Sequence, residues 1–219
     1  MLTIDYIVND ISPLQLSNTI GEAKKMFLNL RLSHLPVVEN NTLVGLLAEA
    51  DLPGLDNDSL TIKEIRYNLV VFFAKEDESW LELLKVFDLN ESNFLPIINE
   101  QNNYIGYYEL SDVLHFFNHT PFLQENGNII VVSKNKIDYS ISEIAQIIES
   151  NQAKLLGVIV SKEYRDTVEL TIKLYSDNIN DVIHTFRRYD YKIIRGINED
   201  EYLNDLKERS EYFQKYLNI

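Results

Sequence analysis

The chain repeats itself, and that repeat limits what it can fold into more than any other feature. The stretch His34 to Asp51, HLPVVENNTLVGLLAEAD, returns as FLPIINEQNNYIGYYELSD, Phe94 to Asp112. Pro36 aligns with Pro96, Gly45 with Gly106 and Asp51 with Asp112. Two copies of one unit must bury one apolar pattern in one way. Each copy reads as strand, polar turn, strand and helix start: Leu35 to Val38, Glu39 to Thr42, Leu43 to Ala48, then a helix from Asp51 in the first copy. The second copy has one extra residue, placed in the turn, where an insertion costs little. Two copies are too few for a solenoid.

Three segments open on the helix-start pattern S/T-x-x-E: Thr19 to Glu22, Ser79 to Glu82 and Ser140 to Glu143. In that box hydroxyl and carboxylate satisfy each other's orphan backbone donors. Behind the first box Ile20, Ala23, Phe27 and Leu30 recur at helical spacing; behind the second Trp80, Leu83, Leu84 and Phe87 do so. An extended stretch precedes each of these helices, Ile4 to Leu16 and Asn68 to Ala74. Each repeat therefore reads as βαββα. Pro53-Gly54 cuts the last helix of the first copy short, and Ser111 to Asn118 forms that of the second.

Thr120 to Gly127 reads as a linker. Beyond it the pattern changes to strand Ile129 to Val132, helix Ile141 to Ser150, strands Leu155 to Val160 and Thr167 to Tyr175, helix Ile179 to Tyr189 and strand Tyr191 to Ile197. That order is βαββαβ, the ferredoxin-like split unit. A final helix, Asp200 to Leu217, carries Tyr202, Leu203, Leu206, Tyr212, Phe213 and Tyr216. The expected organisation is repeat 1 at 1–62, repeat 2 at 63–120, linker 121–126, a βαββαβ domain at 127–198 and a C-terminal helix at 199–219, an α/β (α+β) chain throughout.

The net charge of −14 is uneven. Residues 1–126 hold 7 Lys and Arg against 19 Asp and Glu, net −12; residues 127–219 hold 13 against 15, net −2. An acidic body argues against nucleic-acid binding, which rests on neutralising phosphates. No apolar run reaches the roughly 18 residues of a membrane span, and the N-terminus predicts no signal peptide. There is no cysteine, which excludes disulfides, thiolate metal sites and a cysteine nucleophile and fits a cytoplasmic location. No Walker loop, dinucleotide fingerprint or G-x-S-x-G occurs, so the chain reads as a non-enzyme.

The duplicated h-P-h-h, turn, h-h-G-h-h and aspartate pattern over residues 1–120 resembles a tandem CBS-domain pair, the Bateman module. The βαββαβ segment resembles an ACT-like domain, and the combination is similar to bacterial regulators of the acetoin-utilisation type. The resemblance implies a regulatory, sensor-like module that works as a homodimer. It also implies two clefts that take an adenosine-type ligand such as AMP, ADP, ATP or S-adenosylmethionine. By that analogy Asp51 and Asp112 meet the ribose hydroxyls, His34 begins the cleft lining, and a Ser or Thr three residues before each aspartate contacts the phosphate. Here those positions are Ala48 and Glu109. Ala48 donates nothing and Glu109 repels phosphate at short range, so a phosphorylated nucleotide fits poorly and the first cleft is the better one. Without a ligand, Asp51 and Asp112 read as helix N-caps. ACT relatives that bind amino acids carry an acidic residue and Pro-Gly in the loop occupied here by Ser133 to Tyr139. Pro-Gly is missing, while Asp138 remains as an acceptor for an amino group.

Two further readings stay open. A ligand-free dimerisation scaffold needs no cleft chemistry. Asp112, His115 and His119 share a helical face and could hold a divalent ion for hydrolysis. The basic residues Lys173, Arg187, Arg188, Lys192 and Arg195 read as solvated charge, because the RNA-stacking aromatics of an RRM sheet are missing from VELTIKL.

Overall fold

The computed structural model describes residues 6–196, together with Tyr212 and Tyr216. It divides into two compact units, Met1–His119 and Thr120–Ile219. The expected helix at 199–219 lies outside the described residues except for those two tyrosines, which are helical.

In the first unit the elements are α1 (Ile20–Leu30), β1 (His34–Glu39), β2 (Thr42–Ala48), a 3-10 helix (Glu49–Gly54), β3 (Ala74–Lys75), α2 (Trp80–Leu89), β4 (Phe94–Ile98), β5 (Tyr104–Glu109) and α3 (Leu110–Asn118). The hairpins β1–β2 and β4–β5 pair in matching register on either side of their turns. His34 faces Ala48 and Phe94 faces Glu109, Pro36 faces Leu46 and Pro96 faces Tyr107. Both ladders slip at the same place, between Val37 and Val38 and between Ile97 and Ile98. Asn40 and Asn41, both at positive φ (51° and 66°), make the tight first turn.

The two repeats are interlocked by their leading segments. Leu14 pairs with Val37 in its own repeat, while Val8 pairs with Tyr107 in the other. Sixty residues on, Ala74 pairs with Ile97 in its own repeat and Val70 with Leu46 in the other. Each leading segment thus bridges to both halves. This crossing explains the motif glycines. A Cβ on Gly45 would stand 3.0 Å from the Val70 carbonyl oxygen, and one on Gly106 would stand 2.5 Å from that of Val8. Gly106 also has φ +149°, which disfavours any side chain. One continuous core spans both repeats, with Ile20, Ala23 and Phe27 from α1 and Leu83 and Phe87 from α2 packed on the strands.

The second unit comprises α4 (Pro121–Gln124), β6 (Asn128–Asn135), α5 (Ile141–Ser150), β7 (Lys154–Glu163), β8 (Thr167–Tyr175), α6 (Ile179–Arg188) and β9 (Lys192–Arg195). The sheet order is β7-β8-β6-β9 with antiparallel neighbours, which is the ferredoxin-like order. Ile144, Ile147 and Ile148 of α5 and Val182, Ile183 and Phe186 of α6 bury against Ile130, Val132, Leu170 and Ile172 of the sheet.

Several expectations are corrected. The stretch read as a plain linker forms α4, whose Phe122 ring lies against Gly157. Lys173 is buried rather than solvated; its ammonium donates to the Leu123 carbonyl at 3.0 Å. Asp51 and Asp112 cap nothing: the N-caps are Ala48 and Glu109, and neither supplies a side-chain hydrogen bond. The third capping box is half formed. Ser140 accepts from the Glu143 amide, but the Glu143 carboxylate turns away to the Lys134 ammonium at 2.6 Å.

Candidate ligand cleft at Asp51

β2 ends at Ala48, and the six-residue 3-10 helix after it sets Asp51 back toward the start of β1. His34 stands opposite Ala48 across the hairpin, and the Asp51 carboxylate is close enough to act electrostatically on the His34 ring. The fold therefore gathers His34, Ala48 and Asp51 at one end of the first hairpin. Asp51 is half-buried, and among the described residues no hydrogen bond or ion pair engages its carboxylate. An unengaged carboxylate can accept hydrogen bonds from paired hydroxyls; no side chain caps the turn beside it, and the turn's first amide, Glu49, donates to the Ser33 carbonyl at 2.8 Å.

His34 plays a different part from the cleft lining expected of it. It is 8% exposed. Its Nδ1 lies 2.9 Å from Ser33 Oγ and 3.0 Å from Ser92 Oγ, and the ring meets Phe72 edge-on at 5.1 Å. Burial pulls its pKa below the ordinary histidine value, with Asp51 opposing in part. The two serines belong to a knot between the repeats. The Ser33 amide donates to Asn93 Oδ1 at 2.8 Å, and the Asn93 amide donates back to Ser33 Oγ at 2.9 Å. Asn93 Nδ2 also donates to the Arg31 carbonyl. Ser33 and Asn93 are repeat equivalents, sixty apart, so alignment of the copies contained this signal although no motif marks it.

The surroundings of Asp112 differ in kind. Asp112 lines a cavity with Tyr6, Trp80, Leu83, Tyr108, Val113 and Phe116, whose free space of about 10 Å³ is that of one water molecule. Trp80 stacks near Phe116 and Phe117, and Tyr6 meets Phe116 edge-on. Bulky rings occupy the space beside this aspartate, where repeat 1 has Ile20 at the Trp80 position. Glu109 adds negative charge to the same end, holding a hydrogen bond from Ser111. The face of Asp112, His115 and His119 does not assemble a metal site. His119 Nδ1 sits 2.7 Å from the His115 carbonyl oxygen, and Asp112 faces the aromatic cavity. Among the described residues no group of three His, Cys, Asp or Glu is placed to hold an ion.

In the second unit Asp138 borders an open polar hollow of about 600 Å³ with Ser133, Lys134, Asn135, Thr167 and Lys192. Its carboxylate accepts from Asn135 Nδ2 at 3.0 Å. Beneath lies a charged cluster: Lys134 pairs with Glu143 and rides 4.3 Å above the Tyr191 ring. No described helix is long and apolar enough to cross a membrane.

Comparison with known proteins bears on the first unit. Residues 5–52 and 62–119 each match the CBS domain family. An inosine-5'-monophosphate dehydrogenase of Methanocaldococcus jannaschii is 31% identical over 111 residues, 50% of this chain and 22% of that protein. An uncharacterized protein of the same organism is 28% identical over 111 residues, 37% of its length. The chain spans less than half the length of these curated relatives. Among solved structures, a CBS domain pair/ACT domain protein from Thermotoga maritima is similar over 53% of this chain and 96% of its own, at 21% identity and a TM-score of 0.48.

Proposed function

We propose that this chain, which carries a tandem CBS pair, is a regulatory module without catalysis of its own, sensing an adenosine-type ligand in the cleft at Asp51. The observation that carries this reading is the half-buried Asp51 carboxylate with no hydrogen-bond or ion-pair partner among the described residues, beside a helical turn that no side chain caps. A ribose diol is suited to it, because two adjacent hydroxyls donate to one carboxylate. The ligand is unphosphorylated or cationic, adenosine or S-adenosylmethionine before AMP, ADP or ATP. Ala48 offers no donor to a phosphate, and the first 126 residues carry a net −12. The cleft at Asp112 is secondary, since aromatic rings fill the adjoining space. The second unit, which resembles an ACT-like domain, serves as the seat of homodimerisation. Ligand would act by favouring one arrangement of the interlocked repeats, and only by its differential affinity for that arrangement.

A thermal-shift panel of the five compounds tests this. At 100 times its dissociation constant a true ligand adds about 2.7 kcal/mol of stability. Adenosine or S-adenosylmethionine should raise the melting temperature more than the phosphorylated compounds do. No shift with any of the five would leave a ligand-free dimerisation scaffold, the second reading.

A further inference from the structure

The hydrogens around His34 can be counted. Its Nδ1 lies 2.9 Å from Ser33 Oγ and 3.0 Å from Ser92 Oγ, and the two oxygens are 3.1 Å apart. Ser92 Oγ donates its single hydrogen to the Phe94 carbonyl at 2.6 Å. Each oxygen also accepts from a backbone amide, Ser33 from Asn93 at 2.9 Å and Ser92 from Phe94 at 3.1 Å. A hydroxyl has one hydrogen and two lone pairs. With Nδ1 bare, the Ser33 hydrogen is the only one left for three contacts, and two of them would set lone pair against lone pair. With Nδ1 protonated, a directed chain forms: Nδ1–H to Ser33, Ser33 to Ser92, Ser92 to the Phe94 carbonyl. Both oxygens then donate once and accept twice. Neutral His34 is therefore the Nδ1–H tautomer, and Nε2 is the nitrogen that gains a proton on acidification.

That proton arrives without breaking the chain, which ties Ser33 and His34 of the first repeat to Ser92 and Phe94 of the second. Charge is what changes. The buried ring has Ala48 across the hairpin, Phe72 edge-on at 5.1 Å and the two serines at Nδ1, none of them charged. The charged group acting on it is Asp51. We infer that His34 is a proton switch that sets which ligand charge the Asp51 site prefers. While the ring is neutral, the carboxylate is uncompensated and favours a cationic or uncharged ligand. Once Nε2 is protonated, a cation stands beside the carboxylate, draws on the same charge that holds the ligand hydroxyls, and repels a cationic ligand. The inference rests on the ligand site proposed at Asp51 and adds what regulates it. Burial makes the ring titrate below the ordinary histidine value, so the switch operates on the acid side of neutrality.

Adenosine and S-adenosylmethionine separate charge from fit: between about pH 7 and 5 the first stays uncharged and the second keeps its sulfonium charge. In calorimetric titrations of the full chain across that range, the affinity for S-adenosylmethionine relative to adenosine should fall about three- to tenfold as the ring gains its proton, the effect of one added charge in a partly wet cleft. His34→Asn should hold the ratio constant. Nitrogen-correlated NMR of the unmodified chain reads the ring itself, identified among the four histidines by its contact with Phe72. Nδ1 should carry the proton at pH 7. By reciprocity S-adenosylmethionine should move the ring's titration to lower pH, and Asp51→Asn should do so with no ligand present. An Nε2–H tautomer at pH 7, a ring still neutral at pH 5, or a ratio that ignores the titration while both compounds bind overturns the switch and leaves the ligand site standing. No binding of either compound at pH 7 overturns both.

Discussion

At the scale of single residues, the motif glycines are the clearest case of a pattern whose cause lies outside its own neighbourhood. Gly45 and Gly106 are conspicuous in the repeat, but the reason for them, the other repeat's leading segment crossing at van der Waals distance, is visible only once the strands are paired. Gly106→Ala must move the Val8 carbonyl and hold a side chain at φ +149°. It should cost about 2–3 kcal/mol, and Gly45→Ala, with a looser contact, about 1 kcal/mol. Urea unfolding of the two variants tests the order. His34 makes a second prediction. Its pKa is lowered in the folded chain, so the unfolded chain binds the proton more readily. Stability is then fully present above the ordinary histidine pKa of about 6.5 and falls as pH drops below it toward the folded-state value, at no more than about 1.4 kcal/mol per pH unit. His34→Asn, which keeps a polar atom near Nδ1, should flatten that slope between pH 7 and 5. An unchanged slope would assign the pH dependence elsewhere. The position of His34 was legible as the start of a strand; its burial between two serines was not, because Ser92 comes from the other repeat.

At the scale of elements, local signals were read well where chain neighbours alone decide the outcome. Thr19 with Glu22 and Ser79 with Glu82 form both halves of their boxes, because every partner lies within four residues. Ser140 and Glu143 carry the same letters and form only one half, because Lys134 on β6 competes for the carboxylate. That ammonium is a charged donor at 2.6 Å with a side chain 11% exposed, and it outweighs a backbone amide. Hydrogen bonding to Lys134 holds the Glu143 carboxyl below the ordinary glutamate range. Glu143→Gln should therefore leave α5 in place but cost about 1–2 kcal/mol, below the figure for fully buried pairs because the carboxylate keeps some solvent. Glu22→Gln at an intact box should cost less than 1 kcal/mol. Equal losses in denaturant unfolding would contradict the distinction. The short helix after β2 was legible from Pro53-Gly54, but its start was placed two residues late because an aspartate suggests a cap. The caps fall on Ala48 and Glu109, which a propensity argument would not choose.

At the scale of the molecule, the duplication and the βαββαβ order were both legible, since alternating strands and amphipathic helices leave a period that needs no tertiary information. The exchange of leading segments was not legible: Val8 and Val70 look alike whether they pair within a repeat or across it. The same limit applies to the clefts. Sequence places Asp51 and Asp112 in equivalent positions, and both carboxylates are half-buried without a hydrogen bond or ion pair among the described residues; the structure makes them unequal because Trp80 and Phe116 fill the space at Asp112. Calorimetric titration of adenosine and S-adenosylmethionine reads that inequality directly. One saturable site per chain is expected, with Asp51→Ala weakening binding by about 1.5–3 kcal/mol, roughly ten- to a hundredfold, and Asp112→Ala leaving it unchanged. Equal affinity in the Asp51→Ala variant, or loss of binding in the Asp112→Ala variant alone, would contradict it.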